Sequence, residues 1–126
     1  MEQKWAIAAN SDTTPEVLAD LAKNEASFIR AKVAENSNTP IDVLDILARD
    51  INVFVRSSVA CNINTSRETL DFLAKDKDAF VRTSVAYHPN ISNGTLYEIY
   101  KDKTVKFDAN KYTALNNFLK LTEYHV

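Results

Sequence analysis

The hydrophobic and polar positions of this chain repeat at an interval of 26 residues. Residues 31–56 laid over 57–82 agree at 13 of 26 positions: Val33, Ala34, Asn36, Asn38, Thr39, Leu44, Asp45, Leu47, Ala48, Asp50, Phe54, Val55 and Arg56 recur in register. The register runs backwards over 5–30, where Ala8, Asn10, Thr13, Leu18, Leu21, Ala22, Phe28 and Arg30 hold their slots. Forwards over 83–108 it keeps Val85, Ala86, Leu96 and Asp102, then fades, with Lys106 and Asp108 standing where Phe and Arg are due. A period of this length marks an array of small units, each too short to bury its own apolar face and each completed by its neighbours.

Within a period the spacing predicts two helices. The longer is expected to begin at Thr13, Thr39 or Thr65, each followed three residues later by an acid (Glu16, Asp42, Glu68), with Pro15 or Pro40 in the first turn. That is the pattern of a capping box, and proline is tolerated there because first-turn N–H groups have no acceptor inside the helix. Behind the caps, Val17-Leu18-Leu21-Ala22, Val43-Leu44-Leu47-Ala48 and Leu70-Leu73-Ala74 form apolar stripes, and Glu16, Asp20, Lys23 and their equivalents form a charged face. The shorter helix carries Phe-Ile/Val-Arg followed by Val-Ala, as in Phe54-Val55-Arg56 with Val59-Ala60. At the beginning, Trp5 and Ile7 occupy short-helix slots, so the first unit is truncated. Past the array, Tyr112, Leu115, Phe118 and Leu119 lie at helical spacing and predict a capping helix over about 109–122. The expectation is one all-α domain over 1–126, with units at about 5–30, 31–56, 57–82 and 83–106.

The run from Val33 to Arg56 reads Val-Ala-x-Asn-x-Asn-Thr-Pro-x-x-Val-Leu-x-x-Leu-Ala-x-Asp-x-x-x-Phe-Val-Arg. It resembles the leucine-rich repeat variant family, a relative in style of HEAT repeats, and the likeness covers about 100 residues. The resemblance implies a right-handed α-α superhelix, a solenoid of alternating helices with no shared catalytic activity. One family member carries an iron–sulfur cluster on an N-terminal group of cysteines. This chain has Cys61 alone, so no cofactor is carried over.

Composition narrows the remaining choices. One glycine and three prolines in 126 residues favour helices over a turn-rich sheet protein. A net charge of -2, from 15 Lys+Arg and 17 Asp+Glu, gives no global positive field to attract nucleic acid or an anionic membrane. No stretch reaches the roughly 18 apolar residues of a membrane span, and the first residues lack a signal-like apolar run. The expected location is therefore cytoplasmic, and the expected state is a monomer or weak oligomer.

Three constellations stand out. Arg30, Arg56 and Arg82 form a ladder that tracks phosphates on one reading. On the other it is structural, each guanidinium gripping the residue six places earlier, Asn24, Asp50 or Asp76, across the turn. Asn10, Asn36 and Asn62, with His88 in the last unit, read as a ladder of turn side chains bonded to local backbone. The stripe Ser27-Ala31-Glu35, Val53-Ser57-Cys61, Ala79-Thr83-Tyr87 varies between units, and its Ala31, Glu35, Val53, Ser57, Cys61, Ala79, Thr83 and Tyr87 are the candidate partner-binding residues. Tyrosines gather in the second half of the chain, at 87, 97, 100, 112 and 124, as a protein or peptide partner would favour. No metal-ligand spacing, catalytic triad or glycine-rich phosphate loop occurs, and the expected function is a non-enzymatic scaffold for protein or peptide partners. The alternative is a HEAT-like nucleic-acid binder using the arginine ladder.

Overall fold

The computed structural model describes residues 3–102, 104 and 105. The expected capping helix at 109–122 lies outside them. The described residues form eight helices and no strand: α1 (Lys4–Ala9), α2 (Pro15–Leu21), α3 (Ser27–Glu35), α4 (Ile41–Leu47), α5 (Val53–Cys61), α6 (Arg67–Leu73), α7 (Ala79–Ala86) and α8 (Asn93–Tyr100). None is long and apolar enough to cross a membrane.

The two helix types exchange the lengths expected of them. The Phe-Ile/Val-Arg helices α3 and α5 have nine residues and α7 eight, whereas the helices that follow the Thr positions, α2, α4 and α6, have seven. The latter are cut short because their last turn tightens, with Asp50 N–H bonded to Leu47 O at 3.1 Å and Asp76 N–H to Leu73 O at 3.0 Å.

Helix starts also fall one residue later than the sequence suggests. Thr14, Ser66 and Ser92 are the N-caps of α2, α6 and α8, accepting from the N–H groups of Val17, Thr69 and Thr95, and Pro40 holds the same place before α4. Thr13, Thr39 and Thr65 instead turn their hydroxyls back to the carbonyls of Ile7, Val33 and Val59 at the ends of α1, α3 and α5, giving a second donor to oxygens that already accept the N–H groups of Asn10, Asn36 and Asn62. Two adjacent hydroxyl positions thus divide the work, one ending a helix and the next starting another.

The odd-numbered helices pack in succession, α1 on α3, α3 on α5 and α5 on α7, and the even-numbered helices lie against this row. Leu18, Leu44, Leu70 and Leu96, with Leu21, Leu47, Leu73 and Ile99, come from the even row. They meet Val33, Val59 and Val85, with Ala34, Ala60 and Ala86, from the odd row in one continuous core. Each of the leucines, valines and the isoleucine, buried at 26-residue intervals, contributes about 1.5–3 kcal/mol through removal from water, and each alanine less.

Candidate functional site

The odd row has a single exposed arc. On α5 this arc carries Phe54, Ser58 and Cys61, at i, i+4 and i+7, with half-buried Val53 at the first position of the helix, while Val55 and Val59 are fully buried. The same arc carries Phe28, Lys32 and Glu35 on α3 and Phe80, Ser84 and Tyr87 on α7. Three phenylalanines at 26-residue spacing are therefore more than half exposed: Phe28 at 60%, Phe54 at 62% and Phe80 at 52%. The rings of Phe54 and Phe80 meet edge to face with centroids 5.8 Å apart. A shallow depression of about 240 Å³ lies between α3 and α5, walled by Phe28 and Phe54 and floored in part by Ala31.

The variable stripe read from the sequence overlaps this arc only in part. Glu35, Cys61 and Tyr87 are exposed, whereas Ala31, Val53, Ala79 and Thr83 are half-buried. Ser57 is buried, its hydroxyl 2.7 Å from that of Ser84 on the neighbouring helix, and so presents nothing to a partner. Burial pushes the Cys61 thiol upward, the nearby Glu35 charge adds to the effect, and a hydrogen bond with Ser84 opposes it, so the group stays a protonated, weakly nucleophilic thiol.

Below this face lies the arginine ladder, and its partners differ from those expected. Arg56 Nε and Nη2 grip the carboxylate of Asp76, twenty residues ahead, at 2.8 and 3.2 Å, while Nη1 donates to the backbone carbonyls of Asp50 and Ile51 at 2.9 and 3.2 Å. Arg30 repeats the arrangement with the carboxylate of Asp50, at 2.8 and 3.1 Å, and the carbonyls of Asn24 and Glu25. Arg82 reaches Asp102 at 2.7 Å, with Thr104 bridging its Nη2 to the other carboxylate oxygen. The residue six places earlier therefore supplies a carbonyl, and the carboxylate comes from one period further on. Each carboxylate also accepts the N–H two residues ahead, as Asp50 does from Asn52, and Asn24 does the same for Ala26 in the first period, where no arginine precedes it. The hydrogen bond that Arg30 donates to Asp50, with their mutual charge, holds the guanidinium in its charged form against the opposing effect of burial.

Comparison with protein-family models, curated proteins and solved structures finds no match.

The asparagine row joins successive periods rather than bonding only within its own turn. Asn36 Nδ2 donates to Ala8 O and Asn10 O at 2.8 and 2.9 Å, and Asn62 Nδ2 to Ala34 O and Asn36 O at 2.7 and 3.0 Å. His88 fills the next rung with Nε2 2.7 Å from Asn62 O and Nδ1 accepting from Asn90 N–H at 3.0 Å. A second row, Asn38, Asn64 and Asn90, repeats the device on the carbonyls of Ser11, Ser37 and Ile63. A third links the even helices, Thr69 to Asp45 and Thr95 to Asp71.

Among the described residues no group of three His, Cys, Asp or Glu stands close enough to share a metal ion. Tyr97 stacks on Tyr100 with centroids 6.4 Å apart, so these two tyrosines bind one another at α8 rather than joining the phenylalanine row. The exposed phenylalanines were the feature that the sequence left unmarked. Their signal was present in the i, i+4, i+7 relation to the variable positions 35, 61 and 87.

Proposed function

We propose that the chain is a short α-solenoid of about four helix pairs, built in the style of leucine-rich repeat variant arrays. We propose further that it works without catalysis, in the cytoplasm, by holding a protein or peptide partner on the exposed arc of its odd-numbered helices. The observation that carries this reading is the row of Phe28, Phe54 and Phe80. Three large aromatic side chains left in water at one register cost the free chain solubility, and such patches are characteristic of contact surfaces.

The nucleic-acid alternative draws little support from the arginine ladder. Four of the five N–H groups of Arg30 and of Arg56 are already bonded to carboxylate or backbone oxygens, so a phosphate would have to displace those bonds before binding.

Affinity capture from extract of the native cell tests the reading, using the wild-type chain beside the triple variant Phe28→Ser, Phe54→Ser, Phe80→Ser. A partner retained by the first and lost by the second is expected. Oligonucleotide binding whose affinity falls steeply with salt would favour the alternative instead, and a partner held equally by both chains would remove the proposed face.

A further inference from the structure

A second surface shares no residue with the phenylalanine row. Between α4 and α6 and the loop after α4 lies an open groove of about 930 Å³, within the size range of ligand clefts. Its apolar lining centres on Phe72, 42% exposed, and Ile51, which at 91% exposure is almost wholly in water. Ile51 stands where the neighbouring periods have Glu25 and Lys77, so nothing in the repeat pattern requires an apolar residue there.

The charges around the groove are unevenly matched. Asp50 and Asp76 line it, but their carboxylates are held by Arg30 and Arg56. Arg49, Lys75 and Lys77 make no ion pair among the described residues, and the Arg49 guanidinium lies over Phe72, its central carbon 4.2 Å from the ring centre. Asp71, on the groove wall with its carboxylate accepting the Thr95 hydroxyl, and Glu68, at the start of α6, oppose them, so three unpaired cations face two acids. Arg49 and Lys75 also suit the carbonyl ends of α4 and α6, but that role does not account for Lys77, nor for an isoleucine in water beside them. The sister groove between α6 and α8 has Glu98 where this one has Phe72; Asp102 is held by Arg82 and Glu98 by Lys101, which leaves Lys75 against Asp71, so it has neither the exposed aromatic ring nor the cationic excess.

We propose that the α4–α6 groove receives an acidic peptide segment of a partner protein, one bulky apolar side chain seated against Ile51 and Phe72 and its flanking carboxylates on Arg49, Lys75 and Lys77. The proposal is independent of the phenylalanine row.

A random library of 12-residue peptides, displayed and selected on the immobilised full chain, tests it. Enriched sequences should carry two or more acids around a Leu, Ile, Phe or Trp, and synthetic copies should bind more weakly as salt is raised. Their affinity should fall at least tenfold for Lys75→Glu with Lys77→Glu, and again for Ile51→Ser, which changes no charge. Both variants alter exposed side chains, and circular dichroism confirms their folding before binding is measured. Absence of enrichment, enrichment of basic or neutral peptides, or binding indifferent to both variants overturns the proposal. Peptides released by the triple phenylalanine variant but not by the groove variants would also overturn it, while leaving the odd-helix reading intact.

Discussion

Arg56 and Asp76 form a closed, doubly hydrogen-bonded ion pair across twenty residues, with Nε 2.8 Å from Oδ2 and the two side chains only 8% and 6% exposed. It bolts the start of α5 to the loop after α6, tying one period to the next where water cannot screen the charges. Removing either member leaves the other charged and buried, so Arg56→Ala and Asp76→Ala are each expected to cost about 3 kcal/mol, measured by urea unfolding. A double-mutant cycle should give strong coupling between Arg56 and Asp76 and weaker coupling between Arg56 and Asp50, whose carboxylate acts on Arg56 through charge alone while its backbone carbonyl accepts the hydrogen bond. Equal coupling to both acids would mean the pairing is misassigned.

The same ladder sets an acid limit on stability. Burial pulls the Asp50 carboxyl upward, but the hydrogen bond from Arg30, the Asn52 N–H and the charges of Arg30 and Arg56 together outweigh it and hold the group below the ordinary aspartate value of 3.8. Asp102 is held low by the Thr104 hydroxyl and N–H, against some burial, with help from Arg82. A carboxyl with a depressed pKa binds fewer protons in the folded chain than in the unfolded one. Its stabilisation is complete above the unfolded value and is lost as pH falls through the folded value. The urea midpoint should therefore fall below about pH 4.5, and the gap between wild type and Asp50→Asn should narrow there. A gap that stays constant down to pH 3 would contradict this assignment.

Much of this architecture could be read from the residues before any coordinates, and the misses have specific causes. The 26-residue period, the apolar stripes and the membership of the arginine and asparagine rows follow directly from recurrence. The partner of each arginine did not, because six residues back and twenty residues ahead are the same slot of the period: Asp50 and Asp76 are indistinguishable to Arg56 by periodicity alone. Thr13-Thr14 and Thr65-Ser66 offer two hydroxyls in succession, and only the geometry of the preceding helix end decides which one caps. Recurrence likewise does not separate a buried row from an exposed one, so Phe54 and Val55 repeat equally well although one faces water and the other is fully buried.

That last distinction has a measurable consequence. Leu70 is 1% exposed, and Leu70→Ala should cost about 3 kcal/mol through lost burial and the cavity left behind. Phe54→Ser gives up chiefly the edge-to-face contact with Phe80 and some partly covered ring area, so about 1 kcal/mol is expected. Urea unfolding of the two variants decides it. Should Phe54→Ser prove as costly as Leu70→Ala, the phenylalanine row would be core and no partner surface.

His88 shows how far the ladder tolerates a change of chemistry. An asparagine on this rung donates through Nδ2 to the period before and accepts through Oδ1 from the N–H two residues on, as Asn62 does toward Ala34 and from Asn64. A neutral imidazole with its proton on Nε2 has the same donor and acceptor at opposite ends of a rigid ring, and the contacts to Asn62 O and Asn90 N–H require that tautomer. His88→Ala leaves the Asn62 carbonyl with the Thr65 N–H alone and takes the acceptor from the Asn90 N–H, and should cost about 2 kcal/mol. His88→Asn restores both bonds and should recover at least half of that loss, the remainder reflecting the smaller volume. Nitrogen-15 chemical shifts of the imidazole at neutral pH should show a protonated Nε2 and an unprotonated Nδ1. The opposite tautomer, or an Asn variant no more stable than the Ala variant, would show that His88 does not continue the asparagine row.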